Sequence, residues 1–148
     1  MYVLGFARTT VSTKFVTVTQ RQSVSSDSAF ETAVGYSRAV RVGRLVSVSG
    51  TTAPGDTVSD QAREALRRIQ TALTQAGASL SDVVRTRMFV TDISRWQEVA
   101  AVHAEFFGDV RPAATMVEVS ALISPGSMVE IEVDAYVSDG NEPSGRGG

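Results

Sequence analysis

Residues 111–137 read RPAATMVEVSALISPGSMVEIEVDAYV, and this stretch decides the fold. From Val129 onward, apolar residues alternate with polar ones, and the polar positions begin with the acids Glu130, Glu132 and Asp134. A period of two predicts a strand with one apolar face and one acidic face. We interpret the stretch as two strands joined by a turn. Carboxylates that lie this close tend to raise one another's pKa, so the acidic face requires cations, water or a functional explanation.

The composition is that of one soluble globular domain. The chain has 148 residues, of which 43% are hydrophobic and 20% charged. Its net charge of −2 and sequence pI of about 5.4 argue against a protein dedicated to nucleic-acid binding. The absence of cysteine excludes disulfides, thiolate metal sites and cysteine nucleophiles, and a single histidine excludes a multi-histidine metal centre within one chain.

Membrane and export signals are missing from the pattern. No run of about 18 apolar residues could span a bilayer. The mildly apolar N-terminus is interrupted by Thr and Lys residues and does not resemble a secretory signal. We therefore expect a cytoplasmic protein that does not enter a membrane.

Upstream of the deciding stretch, a hairpin and a helix have clear patterns. Residues 39–49 predict a β-hairpin with Gly43 in its turn. Residues 60–76 place apolar side chains at helical spacing, and Gly77 follows as a C-terminal stop. The apolar stripe of this helix is Ala62, Leu66, Ile69, Leu73 and Ala76.

A strand and a second helix follow. In the strand Val83–Val90 we expect Val84, Thr86, Met88 and Val90 on one face and Arg85, Arg87 and Phe89 on the other. The two arginines are candidate partners for the acids of the last strand. Residues 94–107 predict a helix with Ser94 and Gln97 as a capping box, Gly108 as its stop, and Trp96, Val99, His103 and Phe106 on its apolar stripe.

The domain plan follows from these elements. We expect an extension of open order at residues 1–19 with a short strand at 15–19, a domain at 20–137 that begins with a polar loop at 21–28, and a flexible tail at 138–148. The order β-β-α-β-α-β-β predicts an α+β fold in which both helices cover one face of a mixed sheet. The other face, with mixed polarity, predicts a subunit interface.

Five motifs occur in an order and spacing that resembles a known family. They are GYSRAV at 35–40, VSG at 48–50, RMFVTD at 87–92, RPA at 111–113 and VEIE at 129–132. Together they resemble the RidA/YjgF reactive-intermediate deaminases, also called L-PSP endoribonucleases, over residues 20–137. The resemblance implies a chorismate-mutase-like sandwich, a homotrimer with clefts between subunits, and hydrolysis of enamines or imines to 2-oxo acids and ammonia without a metal or organic cofactor.

The resemblance also assigns roles to residues. It implies that Glu130 positions the attacking water and that Tyr36, Ser49 and Gly50 shape the pocket. Ser94 falls where the family often carries asparagine. Active members carry a carboxylate-binding arginine in the segment that here reads Pro112-Ala113-Ala114-Thr115, so Ala114 replaces the arginine. The further predicted substrate contacts are Met116 and Arg111.

The replacement at Ala114 divides the functional hypotheses. Losing a charge-assisted contact removes about 1.5–3 kcal/mol of binding, or roughly tenfold to more than a hundredfold in rate. We expect either a divergent hydrolase of altered or weak activity on a small imine, enamine or related carboxylic acid, or a protein that binds such a metabolite without chemistry. An RNA-directed activity is a more remote alternative, against which the acidic pI argues.

Each residue also has a purely structural interpretation. Glu130 could be one of several acids on a solvated face, and Tyr36 an interface aromatic. His103 on an apolar stripe is more typical of a satisfied, half-buried histidine than of a catalytic one. Arg38 and Arg111 could replace the missing clamp or could be ordinary surface arginines.

Overall fold

The computed structural model of the chain describes residues 19–138. In chain order its strands and α-helices are β1 (Arg21–Val24), α1 (Ala29–Val34), β2 (Ala39–Val42), β3 (Leu45–Thr51), α2 (Val58–Gln75), β4 (Val83–Val90), α3 (Trp96–Phe107), β5 (Ala113–Glu118) and β6 (Val129–Tyr136). Single 3-10 turns precede β4 and α3. Apart from Thr19 and Ser138, the predicted extension and tail lie outside the described residues.

The strands form one mixed sheet in the order β1-β2-β3-β6-β4-β5. Neighbouring strands are antiparallel except β4 and β5, which are parallel. Helices α2 and α3 share a hydrophobic core with one face of the sheet, which confirms the predicted α+β class. We call the opposite face the open face. No helix between residues 19 and 138 is both long and apolar enough to cross a bilayer.

The two strands of the deciding stretch form as predicted, but they are not neighbours. Strand β4 lies between β5 and β6, parallel to the first and antiparallel to the second. Residues 119–128 are therefore a connection that passes the end of β4, and the predicted simple turn is wrong. Pairing of this kind depends on contacts that are distant in sequence, which a local pattern does not contain.

The core is built from the predicted alternation and the predicted helical stripe. Val129, Ile131, Val133 and Ala135 of β6 are each at most 1% exposed. The five apolar residues predicted for the first helix are likewise buried. Helix α2 begins after Thr57, whose hydroxyl accepts a hydrogen bond from the Asp60 amide at 3.1 Å. The hairpin of β2 and β3 also forms, with Gly43 at φ 60° in its turn.

The prediction of a loop at residues 21–28 is wrong for residues 21–24, and the helix that follows was not predicted from the sequence. Residues 21–24 form the edge strand β1. The serine-rich segment after it ends in a helix cap, because the Ser28 side chain and the Glu31 side chain form a capping box that starts α1. Hydrogen bonds, chiefly from the Ser26 hydroxyl, lower the pKa of Glu31 to about 2.

The start of the second long helix also differs from the prediction. Ser94 lies in the 3-10 turn Ile93–Arg95, and α3 begins at Trp96. Asp92 caps the 3-10 turn, and its carboxylate accepts from the Ser94 amide at 3.0 Å. The residue before α3 is Arg95, which makes no side-chain capping bond, so the predicted capping box is wrong. Trp96 is half exposed, and the fully buried side chains of α3 are Val99, Val102 and Phe107.

A β-bulge changes the predicted faces of β4. Val83 pairs with Ala135 but Arg85 pairs with Asp134, so Val84 is one extra residue in the ladder. Val84 is 50% exposed, while Thr86, beyond the bulge, is completely buried. The prediction that Val84 shares a face with Thr86, Met88 and Val90 is therefore wrong.

Gln61 on α2 holds the connections that lead into β6. Its amide nitrogen donates to the carbonyls of Gly55 and Gly126 at 3.1 and 3.0 Å, and its amide oxygen accepts from the Met128 amide at 2.8 Å. The side chain is buried, so these three bonds satisfy groups that water does not reach. The residue thus fixes where β6 starts.

We expect Gln61→Ala to lower the free energy of unfolding by about 2–4 kcal/mol, because three buried hydrogen bonds are lost. Gln70→Ala, on the exposed side of the same helix, should change it by less than about 0.5 kcal/mol. Urea unfolding at equal protein concentration measures both. Similar values for the two variants would contradict a structural role for Gln61.

Candidate functional site

Five residues from separate parts of the chain meet on the open face. They are Tyr36, Arg38, Ser49, Gly50 and Glu130, and we call them the Glu130 cluster. Arg38 precedes β2, Ser49 and Gly50 lie near the end of β3, and Glu130 lies at the start of β6. The sheet order makes β3 and β6 neighbours, and this pairing brings the predicted residues together.

A bulge in β3 lets the backbone approach Glu130. Val48 pairs with Val133 and Thr51 with Ile131, so β3 has one residue more than β6 between these pairs. A Cβ at Gly50 would lie only 2.9 Å from Cδ of Glu130 and in still closer contact with its Oε1. A larger residue at this position would force the Glu130 side chain to move, since its carboxyl group lies against the Gly50 backbone.

Hydrogen bonds fix the wall opposite Glu130. The Ser49 hydroxyl donates to the Ser37 carbonyl at 2.7 Å, and the Ser49 amide donates to the Arg38 carbonyl at 3.0 Å. Nη2 of Arg38 donates to the Gly50 carbonyl at 2.7 Å. The guanidinium carbon of Arg38 lies 5.7 Å from the centroid of the Tyr36 ring, within cation–π range.

The three acids of β6 differ in whether their side chains have hydrogen-bond or ion-pair partners. Nη1 of Arg87 lies 3.1 Å from Glu132 and 3.3 Å from Asp134, which confirms Arg87 as a cross-strand partner. The Ser47 hydroxyl also donates to Asp134 at 2.9 Å. Within residues 19–138, the side chain of Glu130 has neither a hydrogen bond nor an ion pair.

Its surroundings raise the pKa of Glu130. Partial burial is the main cause, the negative charge of Glu132 adds to it, and the positive charge of Arg38 partly offsets both. A carboxyl group with a raised pKa and free oxygens can take a proton from water and return it, as general acid–base catalysis requires.

Ala114 and Met116 lie on the other side of the sheet. In the parallel ladder Ala114 pairs with Thr86 and Met116 with Met88, and both β4 partners are buried on the helix-covered face. Met116 packs against the core, whereas Ala114, on the edge strand, is exposed. Within one chain, neither residue shares a face with Glu130.

Arg111 and Ser94 are separate from the cluster as well. Ala113 pairs with Arg85 and Glu130 with Phe89, which is four residues or about 13 Å further along β4, and Arg111 lies beyond Ala113. Arg111 adopts φ 53°, a left-handed conformation unusual for a residue before proline. Ser94 lies past the end of β4, and its hydroxyl donates to Asp92 at 2.6 Å.

Phe89 is a neighbour of Glu130 that the sequence did not single out as a site residue. It is the direct partner of Glu130 across the ladder and lies on the open face. The strand pattern of β4 placed Phe89 on the face of Arg87, but only the register between β4 and β6 shows which acid it faces.

His103 is satisfied within the fold. Its Nε2 is 2.9 Å from the Thr86 hydroxyl, and its ring lies 4.8 Å from the Phe107 ring. Burial lowers its pKa. It lies on the helix-covered side of the sheet, away from Glu130, which favours the structural interpretation.

Two surface pockets lie away from the Glu130 cluster. One, of about 440 Å³, lies beside Arg41 and Gly43, and another of about 440 Å³ lies between the 52–55 and 124–127 loops. We give more weight to the Glu130 cluster, because its groups are chemically competent and the pocket linings lack an unpaired acid. Within residues 19–138, no three or more His, Cys, Asp or Glu side chains are grouped so as to hold a metal ion.

Comparisons with known proteins agree with the fold and motifs. The family model described as Endoribonuclease L-PSP matches residues 26–137. Rv2704 of Mycobacterium tuberculosis, described as a member of the YjgF/YER057c/UK114 family, has 66% identity and a TM-score of 0.79, covering 80% of this chain and all of that one. The YyfA protein of Yersinia pestis, described as a member of the conserved Rid family, has 31% identity and a TM-score of 0.71, with 80% and 100% coverage.

A sequence relative extends the comparison. A RutC family protein of Pyrococcus abyssi is 33% identical over 110 residues, which cover 68% of this chain and 85% of the relative. The family model's match, residues 26–137, includes every residue of the Glu130 cluster.

The raised pKa of Glu130 predicts a pH-dependent effect of removing its charge. The folded state binds this proton more tightly than the unfolded chain, so stability is lost as pH rises through the raised pKa. Glu130→Gln cannot ionise and avoids this loss. Its stability relative to the parent protein should therefore increase between about pH 4 and pH 7 in unfolding titrations.

Glu98→Gln is the control with the opposite sign. The side chain of Arg95 lowers the pKa of Glu98 by hydrogen bonding, so the parent gains stability as Glu98 ionises. The relative stability of Glu98→Gln should then fall over the acidic part of the same range. If the stability of Glu130→Gln relative to the parent is constant or falls with pH, Glu130 does not have a raised pKa.

The contact of Gly50 with Glu130 predicts coupling between the two positions. Gly50→Ala should destabilise the parent protein but have almost no effect in a Glu130→Ala background, with a coupling energy of about 0.5–3 kcal/mol. The matched pair, Gly50→Ala with Glu132→Ala, should be additive within about 0.5 kcal/mol. Equal coupling in both pairs would contradict a specific contact.

Proposed function

This chain belongs to the endoribonuclease L-PSP family, which includes the YjgF and RutC proteins, and we propose that it is a homotrimeric hydrolase of the enamine/imine deaminase type. The reaction converts an imine and water into a carbonyl compound and ammonia. The observation that carries the proposal is Glu130, the only acid of β6 left without a partner among the described residues, with its pKa raised and its carboxyl group against the Gly50 backbone.

The chemistry requires one group that moves two protons. Glu130 as carboxylate takes a proton from the attacking water while the new C–O bond forms at the imine carbon, and it delivers that proton to the imine nitrogen. It then moves the hydroxyl proton of the carbinolamine to the same nitrogen, the C–N bond breaks, and ammonia leaves. A raised pKa makes Glu130 a better proton acceptor from water than an ordinary carboxylate, and its acid form can return the proton.

The division of the predicted site between two faces supports an assembly of several copies, and a trimer is the assembly that we propose. Ala114 and Glu130 are on opposite faces of one sheet, so they can line one cleft only if they come from different copies of the chain. The open face also exposes apolar side chains among its charges. Leu45, Val117 and Tyr136 are 49%, 41% and 50% exposed, an apolar area typical of an interface.

Ala114 is the reason to propose altered or weak activity. A methyl group at this position supplies no charge-assisted hydrogen bonds to a substrate carboxylate. The same observation favours, as a second candidate, a protein that binds a small metabolite in this cleft without converting it. The family's description as an endoribonuclease does not lead us to propose RNA as substrate, since the chain has a net charge of −2.

The direct test is ammonia release from freshly generated 2-iminobutanoate. We expect a rate above buffer for the parent protein, a loss of at least about a hundredfold for Glu130→Gln, and a gain of at least about tenfold for Ala114→Arg. Glu118→Gln, an exposed acid on β5, is the control and should leave the rate unchanged.

The outcomes separate the candidates. The hydrolase is rejected if neither the parent nor Ala114→Arg releases ammonia faster than buffer from any member of a panel of imines that includes uncharged ones. A ligand that raises the melting temperature and is recovered unchanged would then support the binding protein. A sedimentation result showing only monomers at micromolar concentration would reject the trimer.

A further inference from the structure

Arg38 is a cation held in place but not neutralised. Its backbone amide donates to the Val24 carbonyl at 2.8 Å, and its carbonyl accepts from Ser49, so the residue extends the β2–β3 ladder with its side chain on the open face. The Gly50 carbonyl and the Tyr36 ring fix the guanidinium from two sides. Neither contact neutralises its charge.

The hydrogen bonding of Arg38 is incomplete. Nε of Arg38 is buried and has no hydrogen-bond partner. Within residues 19–138 no carboxylate lies within ion-pair distance of this side chain. Arg63 and Arg95, by contrast, each hold a carboxylate with two nitrogens, at distances between 2.6 and 3.0 Å. A buried guanidinium donor without an acceptor costs free energy, and such unsatisfied groups often mark functional sites.

The nearest acid does not fill this role. Arg38 acts on Glu130 only through its charge, without a hydrogen bond between the two side chains. Glu130 instead lies against Gly50, whose carbonyl is bound by Nη2 of Arg38. The acid and the cation therefore flank one backbone group, which leaves the remaining guanidinium donors for a third partner.

The chemistry of that partner follows from the donors. A guanidinium offers N–H groups in a planar fork that matches the two oxygens of a carboxylate. Arg111, the other arginine considered as a replacement, lies near the opposite end of β4 and cannot reach Glu130 within one chain. Arg38 is the arginine whose position places a bound carboxylate beside the proposed proton carrier.

We propose that Arg38 is the carboxylate anchor of this site, makes it selective for small 2-oxo and 2-imino acids, and restores part of the binding that an arginine at position 114 would supply. The inference rests on the proposed function for the reaction at Glu130. Binding of a product carboxylate requires no turnover, so the two can fail separately. Arg38 is a positioning and specificity residue, and Glu130 remains the group that moves protons.

The test compares 2-oxobutanoate with its uncharged amide, using calorimetry on the full chain. The parent should bind the acid more tightly than the amide. Arg38→Gln should weaken binding of the acid about tenfold to a hundredfold and leave amide binding within about twofold. Arg38→Lys keeps the charge without the planar fork and should give an intermediate loss. Arg67→Gln, a solvated arginine of α2, is the matched control and should match the parent.

Several results would overturn the proposal. These are an Arg38→Gln variant that binds the acid as the parent does, equal losses for acid and amide, and a parent that prefers the amide or binds neither. If circular dichroism shows that Arg38→Gln does not fold, the test uses Arg38→Lys instead and compares its binding of the acid with its binding of the amide in the same way. Arg38-dependent binding of the acid without ammonia release would reject the hydrolase and keep the anchor.

Discussion

The four apolar residues of β6 are buried against the helix layer, and their burial fixes the direction of every other side chain on that strand. Because successive residues of a strand point to opposite faces, Glu130 and its two neighbouring acids must lie on the open face. A slip of one residue would exchange the core for three carboxylates, so the register is strongly determined. The core and the candidate site are thus two consequences of one constraint.

Neighbouring strands decide which of these acids remains reactive. Arg87 on β4 forms ion pairs with both Glu132 and Asp134, and the backbone of β3 approaches Glu130 at Gly50, where the bulge interrupts the ladder. Desolvation without a paired cation disfavours the ionised form of Glu130. Ionised Glu130 therefore lowers the stability of the folded state, and unfavourable groups of this kind are concentrated at functional sites.

The sequence predicted the parts of this structure that depend on local periodicity. The stripe of α2, the hairpin around Gly43 and the alternation of β6 are as predicted, because each is written within one segment. The polar edge strand β1 and the position of Val84 were missed, since edge pairing and a bulge depend on the neighbouring strand. The motifs identified the cluster through resemblance, but the sequence could not show that Ala114 lies on the opposite face from Glu130.

The position of Arg38 changes what a second subunit must supply. An arginine at position 114 would lie on the face away from Glu130, so cation and acid would meet only across a subunit contact. Arg38 is held on the same face as Glu130 by Gly50, so both charged groups come from one chain. A neighbouring copy would then close the cleft and exclude water without completing its charge. Exclusion of water lowers the local dielectric constant and strengthens a guanidinium–carboxylate pair. Assembly would therefore still control the affinity of the cleft for a carboxylate ligand.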